Sequence, residues 1–167
     1  MKVRDAVEAD LAAIVEIYNS TVASRMVTGD TEPISVVSRV PWFYQHSADR
    51  YPLWVAEDGD TIAGWLGFQP FYGRPAYHAT AELSLYIANA YRRQGIGRML
   101  LYQAIEKAPA LGLTTLLGFI FGHNEPSLRL FETFGFDRWG LLPGVAEFNG
   151  VQRDLVIMGY RVKHQAG

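Results

Sequence analysis

The period of the apolar positions changes repeatedly along this chain, and each change marks an element. Met1 to Arg4 reads as a short strand. From Asp10 to Ser20, Leu11, Ile14, Val15 and Tyr18 recur at helical spacing and predict an amphipathic helix. Pro33 to His46 reads as partly helical, with Pro41 expected to break or kink it. Trp54 to Glu57 and Thr61 to Gln69 read as two strands joined by the turn Asp58-Gly59-Asp60. A loop from Phe71 to Ala76 follows. The next strand runs from Tyr77 or His78 to Ile87 and contains the alternating run Ala81-Glu82-Leu83-Ser84-Leu85-Tyr86-Ile87.

Past the turn 91–98 the pattern becomes helical, with Ile96, Leu100 and Ala104 at intervals of four. This helix should end near Pro109, with Gly112 as its stop. Leu113 to Phe121 is almost wholly apolar, as expected of a strand buried on both faces. Asn124 suits a helix N-cap, with Pro126 in the first turn and Gly135 just past the end. Phe136 to Trp139 and Arg153 to Arg161 supply the last strands. Strands alternating with helices predict an α/β fold with a mixed sheet.

Composition narrows the classes. A length of 167 residues suits one domain, taken as 1–162 with a short C-terminal tail, 163–167. With 49% hydrophobic and 19% charged residues the chain is globular. A net charge of −2 gives no general basic field for nucleic acid or an anionic membrane. The apolar run at Leu113 to Phe121 is far short of the ~20 residues that span a bilayer. With no leader pattern, a cytoplasmic protein is expected. The absence of cysteine excludes disulfides and a thiol nucleophile. His46, His78, His123 and His164 show no helical pairing, so no metal is expected.

The candidate chemistry starts at Tyr91-Arg92-Arg93-Gln94-Gly95-Ile96-Gly97-Arg98. A strand feeding a glycine-punctuated turn that opens a helix presents unpaired amides and a positive helix end to an anion. Arg92, Arg93 and Arg98 add countercharge, so a phosphorylated small molecule is the expected ligand. The dinucleotide fingerprint needs a third glycine where Leu100 stands, and the nucleotide-triphosphate loop needs Lys-Ser/Thr where Arg98-Met99 stand. An ordinary basic strand-to-helix loop would share these residues.

Arg92-x-x-Gly95-x-Gly97 resembles the pyrophosphate loop of the GNAT superfamily of acetyl-CoA-dependent N-acetyltransferases. The helix from Asp10, Trp42-Phe43, the strand around Trp54, Thr80-Ala81-Glu82, Ser84-x-Tyr86 and the stretch Asn124 to Phe136 are similar to its phosphinothricin and methionine sulfoximine acetyltransferase branch. The resemblance implies a single-domain, strongly twisted sheet whose parallel strands, here His78 to Ile87 and Leu113 to Phe121, splay apart, flanked by helices.

For the site, the resemblance implies acetyl-CoA as co-substrate. The backbone of Leu85, Tyr86 and Ile87 would pair with the pantetheine arm, and the amides of Arg93, Gln94, Gly95, Ile96, Gly97 and Arg98 would hold pyrophosphate. Asn124 and Ser127 would close the other side of the arm, although a plain helix cap also accounts for Asn124. Glu82 matches the family's catalytic glutamate, a general base for the attacking amine; an exposed strand carboxylate is the other reading. A strand bulge near Tyr86 would supply the oxyanion amide. Phe131 stands where many members carry an acid, leaving Tyr102 or water as donor to the departing sulfur.

Acceptor contacts diverge. His78 stands where the branch has a substrate-binding arginine, four residues before the glutamate. Leu83 and Phe148-Asn149 replace further polar contacts. Arg74, Tyr77 and His78 are the substrate-side candidates, and Trp65, Phe68, Phe71, Tyr72 and Tyr77 suggest a closed aromatic pocket. The expected acceptor is a small-molecule amine, and the expected assembly is a homodimer. A protein or peptide N-acetyltransferase, or a silent acyl-CoA-binding module, remains an alternative.

Overall fold

In the computed structural model, which describes residues 1–163, seven strands form one sheet in the order β1-β2-β3-β4-β5-β7-β6. Of the expected tail, residues 164–167 lie outside the described residues, and His164 with them. The strands are β1 Lys2–Asp5, β2 Leu53–Asp58, β3 Thr61–Pro70, β4 Thr80–Ile87, β5 Thr115–Phe121, β6 Asp137–Phe148 and β7 Val151–Arg161. Helices α1 Leu11–Val22, α2 Val36–Tyr44, α3 Ile96–Lys107 and α4 Glu125–Thr133 complete the set.

The sheet lies between two apolar layers. On one face Ile14 and Ile17 of α1 pack with Leu53, Val55 and Trp65, and Trp42 and Phe43 of α2 close the cluster. On the other, Ile96, Leu100, Leu101 and Ala104 of α3 and Leu128 and Phe131 of α4 meet Leu66, Leu83, Leu116 and Met158. β5 is buried along nearly its whole length, as its unbroken apolar run predicts.

Two expectations are corrected. Helix α2 runs through Pro41 without ending. Proline removes the bond to the Val37 carbonyl, but Val37 is 80% exposed, so water can take that partner's place. Strand β6 is far longer than the Phe136 to Trp139 expected of it. Gly140, Pro143 and Gly144 read as breakers, yet β6 is an edge strand whose register slips between Arg138 and Gly140 and between Leu142 and Ala146. Bulged edges tolerate such residues.

The feature that positions the site lies between β4 and β5. Their parallel ladder has only the rungs Thr80↔Thr115, Ala81↔Leu116 and Glu82↔Leu117. Both strands continue beyond the last rung, so they part there, and Glu82 stands at the fork.

Candidate active site

Backbone direction alternates along a strand, and the bonds flanking β4 show which residues face the fork. The Ala79 carbonyl accepts from Thr114 and Thr115 on the β5 side, whereas the Thr80 carbonyl accepts from Phe71 on the β3 side. Odd-numbered residues of β4 therefore turn their peptide groups towards β5. Past the Glu82 rung, those of Leu85 and Ile87 have no strand opposite them. The peptide groups of Tyr86 face β3, which narrows the expected Leu85–Tyr86–Ile87 edge to its outer two members. The expected bulge near Tyr86 is absent: β3 and β4 keep register from Gly64↔Ile87 to Pro70↔Ala81.

The fork widens into a groove of about 1290 Å³. One end is the basic turn. Gly95, at φ +81°, caps α3 in a conformation that glycine adopts without strain, and Arg93 also has positive φ. Between Arg92, which donates to the Asn89 carbonyl, and Met99, which donates to that of Gly95, no backbone carbonyl among the described residues accepts from amides 93–98. Arg92, Arg93, Gly95, Ile96, Gly97 and Arg98 all line the groove. Gln94 does not; its side chain folds back to the Ala90 carbonyl at 3.1 Å. Gly97 has a packing role besides: a Cβ there would meet Leu130 at 3.3 Å, so a valine would strain the α3–α4 contact as well as the turn.

Asn124 and Ser127 form the opposite wall. The Asn124 side-chain oxygen accepts from the Ser127 amide at 3.4 Å, capping α4, and the carboxamide nitrogen makes no bond among the described residues. Cap and ligand donor are compatible roles, one for each end of the amide. Phe131 also lines this wall, one turn on. Tyr102, considered as an acid, is 55% exposed and is not part of the groove lining.

A roof that the sequence did not announce comes from the α1–α2 connection, where Met26, Val27, Thr28 and Gly29 line the groove. It is tied down by His123, whose Nε2 donates to the Arg25 carbonyl at 2.8 Å, and by the Tyr18 hydroxyl, which bonds Thr28 and Asp30. Asn19 fixes its far end, bonding both the carbonyl and the amide of Ile34 at 2.9 Å.

Glu82 is half-buried in the groove wall, with no hydrogen-bond donor and no cation beside it among the described residues. Burial alone pushes its carboxyl above the usual glutamate range. On the same face of the sheet, Ser84 and Tyr86 follow Glu82 along β4. Gln69 lies opposite Glu82 and Trp65 opposite Tyr86. Gln69, Ser84, Trp65 and Tyr86, with Tyr18, Arg39 and Trp42, line a second pocket of about 170 Å³ that shares Ser84 and Tyr86 with the groove, while Glu82 lines the groove alone. Trp65 stacks on Tyr86 at 4.7 Å and meets Trp42 edge-on at 5.5 Å; its indole N–H donates to the Ile14 carbonyl at 3.2 Å.

The substrate-side candidates are not brought here. Arg74, Tyr77 and His78 are exposed on the β3–β4 connection and line neither cavity. The His78 Nδ1 bonds the Pro75 carbonyl at 2.9 Å, and Tyr77 packs on Phe71 at 5.4 Å. Of the expected aromatic cluster only Trp65 reaches the second pocket; Phe68 is core, and Phe71, Tyr72 and Tyr77 pack on one another. The pocket's other aromatics come from α1 and α2, where helical spacing reads simply as core. Among the described residues no cluster of His, Cys, Asp or Glu is arranged to hold a metal, and no helix is long and apolar enough to cross a membrane.

Known proteins share this architecture. Residues 14–136 match the Acetyltransferase (GNAT) family. The chain is 54% identical over 160 residues to the “Putative phosphinothricin acetyltransferase YwnH” of Bacillus subtilis, covering 95% of this chain and 98% of that protein. It is 33% identical to an L-methionine sulfoximine/L-methionine sulfone acetyltransferase of Pseudomonas aeruginosa, over 93% and 91% of the two chains. A GNAT superfamily phosphinothricin acetyltransferase from Sinorhizobium meliloti, solved in complex with acetyl-CoA, superposes with a TM-score of 0.91 at 30% identity, over 96% of this chain and 88% of that one. On the family match, the sequence relatives and the superposition, the chain belongs to the GNAT family as an acetyl-CoA-dependent N-acetyltransferase.

Proposed function

We propose that the chain acetylates the amine of a small amino acid or amino-acid analogue, of the phosphinothricin or methionine sulfoximine kind, with Glu82 as general base. The observation that carries this reading is the carboxylate at the fork: half-buried, unpaired, lining the groove, and neighbour to Ser84 and Gln69 of the aromatic pocket. The activities for which these relatives are named support the acceptor class.

Acetyl-CoA supplies the acetyl group as an activated thioester. An alkylammonium with a pKa near ~10 is almost wholly protonated at neutral pH and must lose a proton before it attacks. A solvated glutamate at ~4.3 is a weak base for this; burial raises Glu82 towards the operating pH, where general-base catalysis is most efficient. Leu85 and Ile87 offer peptide groups to an extended amide chain, amides 93–98 and the nearby arginines receive phosphates, and the free Asn124 carboxamide donates from the far wall. Phe131 has no proton to give, so the sulfur departs as thiolate or takes its proton from water.

The assembly proposed is a homodimer working in the cytoplasm. Trp139, Leu141, Leu142 and Val145 on β6 are 41–60% exposed, an apolar surface suited to a second copy.

The test follows thiol release with acetyl-CoA and phosphinothricin, methionine sulfoximine, common amino acids and simple amines. The expected result is turnover of amino-acid-like acceptors, with Glu82→Gln lowering kcat/KM by ~10² to 10⁴ while acetyl-CoA affinity barely changes. Full activity of that variant at pH 7 would put the base elsewhere; turnover confined to peptides would overturn the acceptor class.

A further inference from the structure

The arginine expected to hold an acidic acceptor is missing from the β3–β4 connection, and Arg74 and His78 there line neither cavity. The aromatic pocket beside Glu82 nevertheless contains a cation, brought by a different element. Arg39, the fourth residue of the short helix α2, lines that pocket and does not line the acetyl-CoA groove.

Its surroundings are unusual for a structural arginine. The guanidinium lies over the rings of Tyr18 and Trp42, at 5.4 and 5.8 Å from their centroids, and its side chain is 31% exposed. It forms a long salt bridge with Asp30, at 3.7 Å, beyond hydrogen-bond distance, and that carboxylate also accepts from the Tyr18 hydroxyl. No hydrogen bond to the Arg39 side chain is formed among the described residues. A guanidinium has five N–H donors in a planar fork, and this one is held by two aromatic faces and one exposed, long ion pair, with no hydrogen bond spent. Free donors at the wall of a small apolar pocket match a planar oxyanion, such as a carboxylate, or a tetrahedral acid group.

Position completes the argument. Glu82 and Ser84 stand about 7 Å apart on one face of β4, and the pocket runs from Ser84 and Gln69 across the stacked Trp65 and Tyr86 to Arg39. One molecule can therefore present an amine at the Glu82 end and an acid at the Arg39 end. A purely cationic acceptor, such as a polyamine or a lysine-rich tail, would bring like charge to a guanidinium that already covers the aromatic faces.

We infer that Arg39 is the specificity-determining anchor of the acceptor site, binding the acid group of an amino-acid-like amine through its free guanidinium donors. This rests on the acceptor class proposed above and deepens it by naming the recognising residue.

The experiment measures binding and turnover separately. Methionine is compared with its methyl ester, which lacks the α-carboxylate charge, and glutamate with glutamine, which lacks the distal one. Each is titrated into the coenzyme A-bound protein and assayed with acetyl-CoA, for wild type, Arg39→Gln and Arg39→Lys. A charge-assisted pair predicts that the preference of wild type for the acid-bearing member falls about 10- to 100-fold in Arg39→Gln, in Kd and in kcat/KM alike. Arg39→Lys should be intermediate, since it keeps the charge but loses the fork, and acetyl-CoA KM should not move. Loss of preference in the methionine pair assigns the α-carboxylate to Arg39; loss in the glutamate pair assigns the distal acid. Equal losses for acid and neutral members in both pairs would overturn the role of Arg39 while leaving the transfer reading intact. Arg39-dependent binding of acids without turnover of any amine would do the reverse.

Discussion

Gly118→Ala tests whether the wall of the groove is as tightly built as the distances imply. Gly118 lies on β5 and has Phe131 of α4 against it; both line the groove. A Cβ added at Gly118 would stand 2.7 Å from Phe131 Cε2, 3.1 Å from Cδ2 and 3.4 Å from Cζ. Comfortable carbon–carbon contact is ~3.5 to 4.0 Å, so ring or strand must yield by roughly 1 Å. The ring has little room. Phe131 is 4% exposed and packs edge-on against Phe136, itself 2% exposed, at 4.9 Å. Overpacking of this sort costs ~1 to 3 kcal/mol, which for a chain of this size lowers Tm by about 2 to 12 °C. The acetyl-CoA KM should rise too, because the displaced ring moves along the groove wall. Thermal melts and KM of Gly118→Ala, Phe131→Leu and the double variant check this as a cycle. The smaller leucine should absorb the new methyl, so the double variant should be at least ~1 kcal/mol more stable than the sum of the single losses predicts. A Gly118→Ala protein within 0.5 kcal/mol of wild type, or strict additivity, would refute the argument.

Three other outcomes follow from the same geometry. Glu82 has a folded-state pKa raised by burial, so its protonated form favours the fold and that contribution is lost as pH rises through the folded pKa; Tm of Glu82→Gln minus that of wild type should therefore grow between pH 4 and pH 8, and a flat difference would mean the carboxylate is not desolvated. Hydrogen exchange should slow at the Leu85 and Ile87 amides when acetyl-CoA binds and change less at Tyr86, whose amide faces β3; equal protection at all three would undo the edge assignment. Light scattering at micromolar concentration should give a two-chain mass, and a single-chain mass would remove the homodimer.

What the sequence made legible was chemistry carried on contiguous residues. The turn 91–98 announces its free amides through Gly95 and its charge through three neighbouring arginines, and the alternation from Ala81 to Ile87 puts Glu82, Ser84 and Tyr86 on one face. The aromatic pocket was not legible, because its walls come from α1, α2, β3 and β4 and are complete only after packing. Tyr18 and Trp42 have the spacing of core residues, and Trp65 is indeed core on one side and wall on the other. Arg39 looks like any solvated helix charge until its guanidinium is found over Tyr18 and Trp42, with Asp30 in ion-pair range but no hydrogen bond made. The resemblance pointed to residues 74, 77 and 78, but these lie exposed on the β3–β4 connection and line neither cavity.

The fork shows why even a correctly read strand leaves its function open. β5 is apolar on both faces, which predicts burial and a neighbour on each side. It keeps a full partner only in β7, paired from Thr115↔Arg161 to Phe121↔Leu155, against three rungs with β4. β5 thus has its pairing satisfied on one edge and can leave β4, with the wedge of Phe131 against Gly118 on its α4 side. The cost is a run of unpaired peptide groups on each strand, tolerable where water or a ligand reaches them. A peptide-like chain inserted there recovers those bonds without displacing any the protein makes to itself. Register, and not composition, decides where the opening begins: the last rung falls on Glu82, so the same step that frees the Leu85 and Ile87 peptide groups sets the carboxylate at the mouth of the groove. A parting two residues later, at Ser84, would carry the ladder past Glu82 and leave its carboxylate beside a closed pair of strands instead of at an opening.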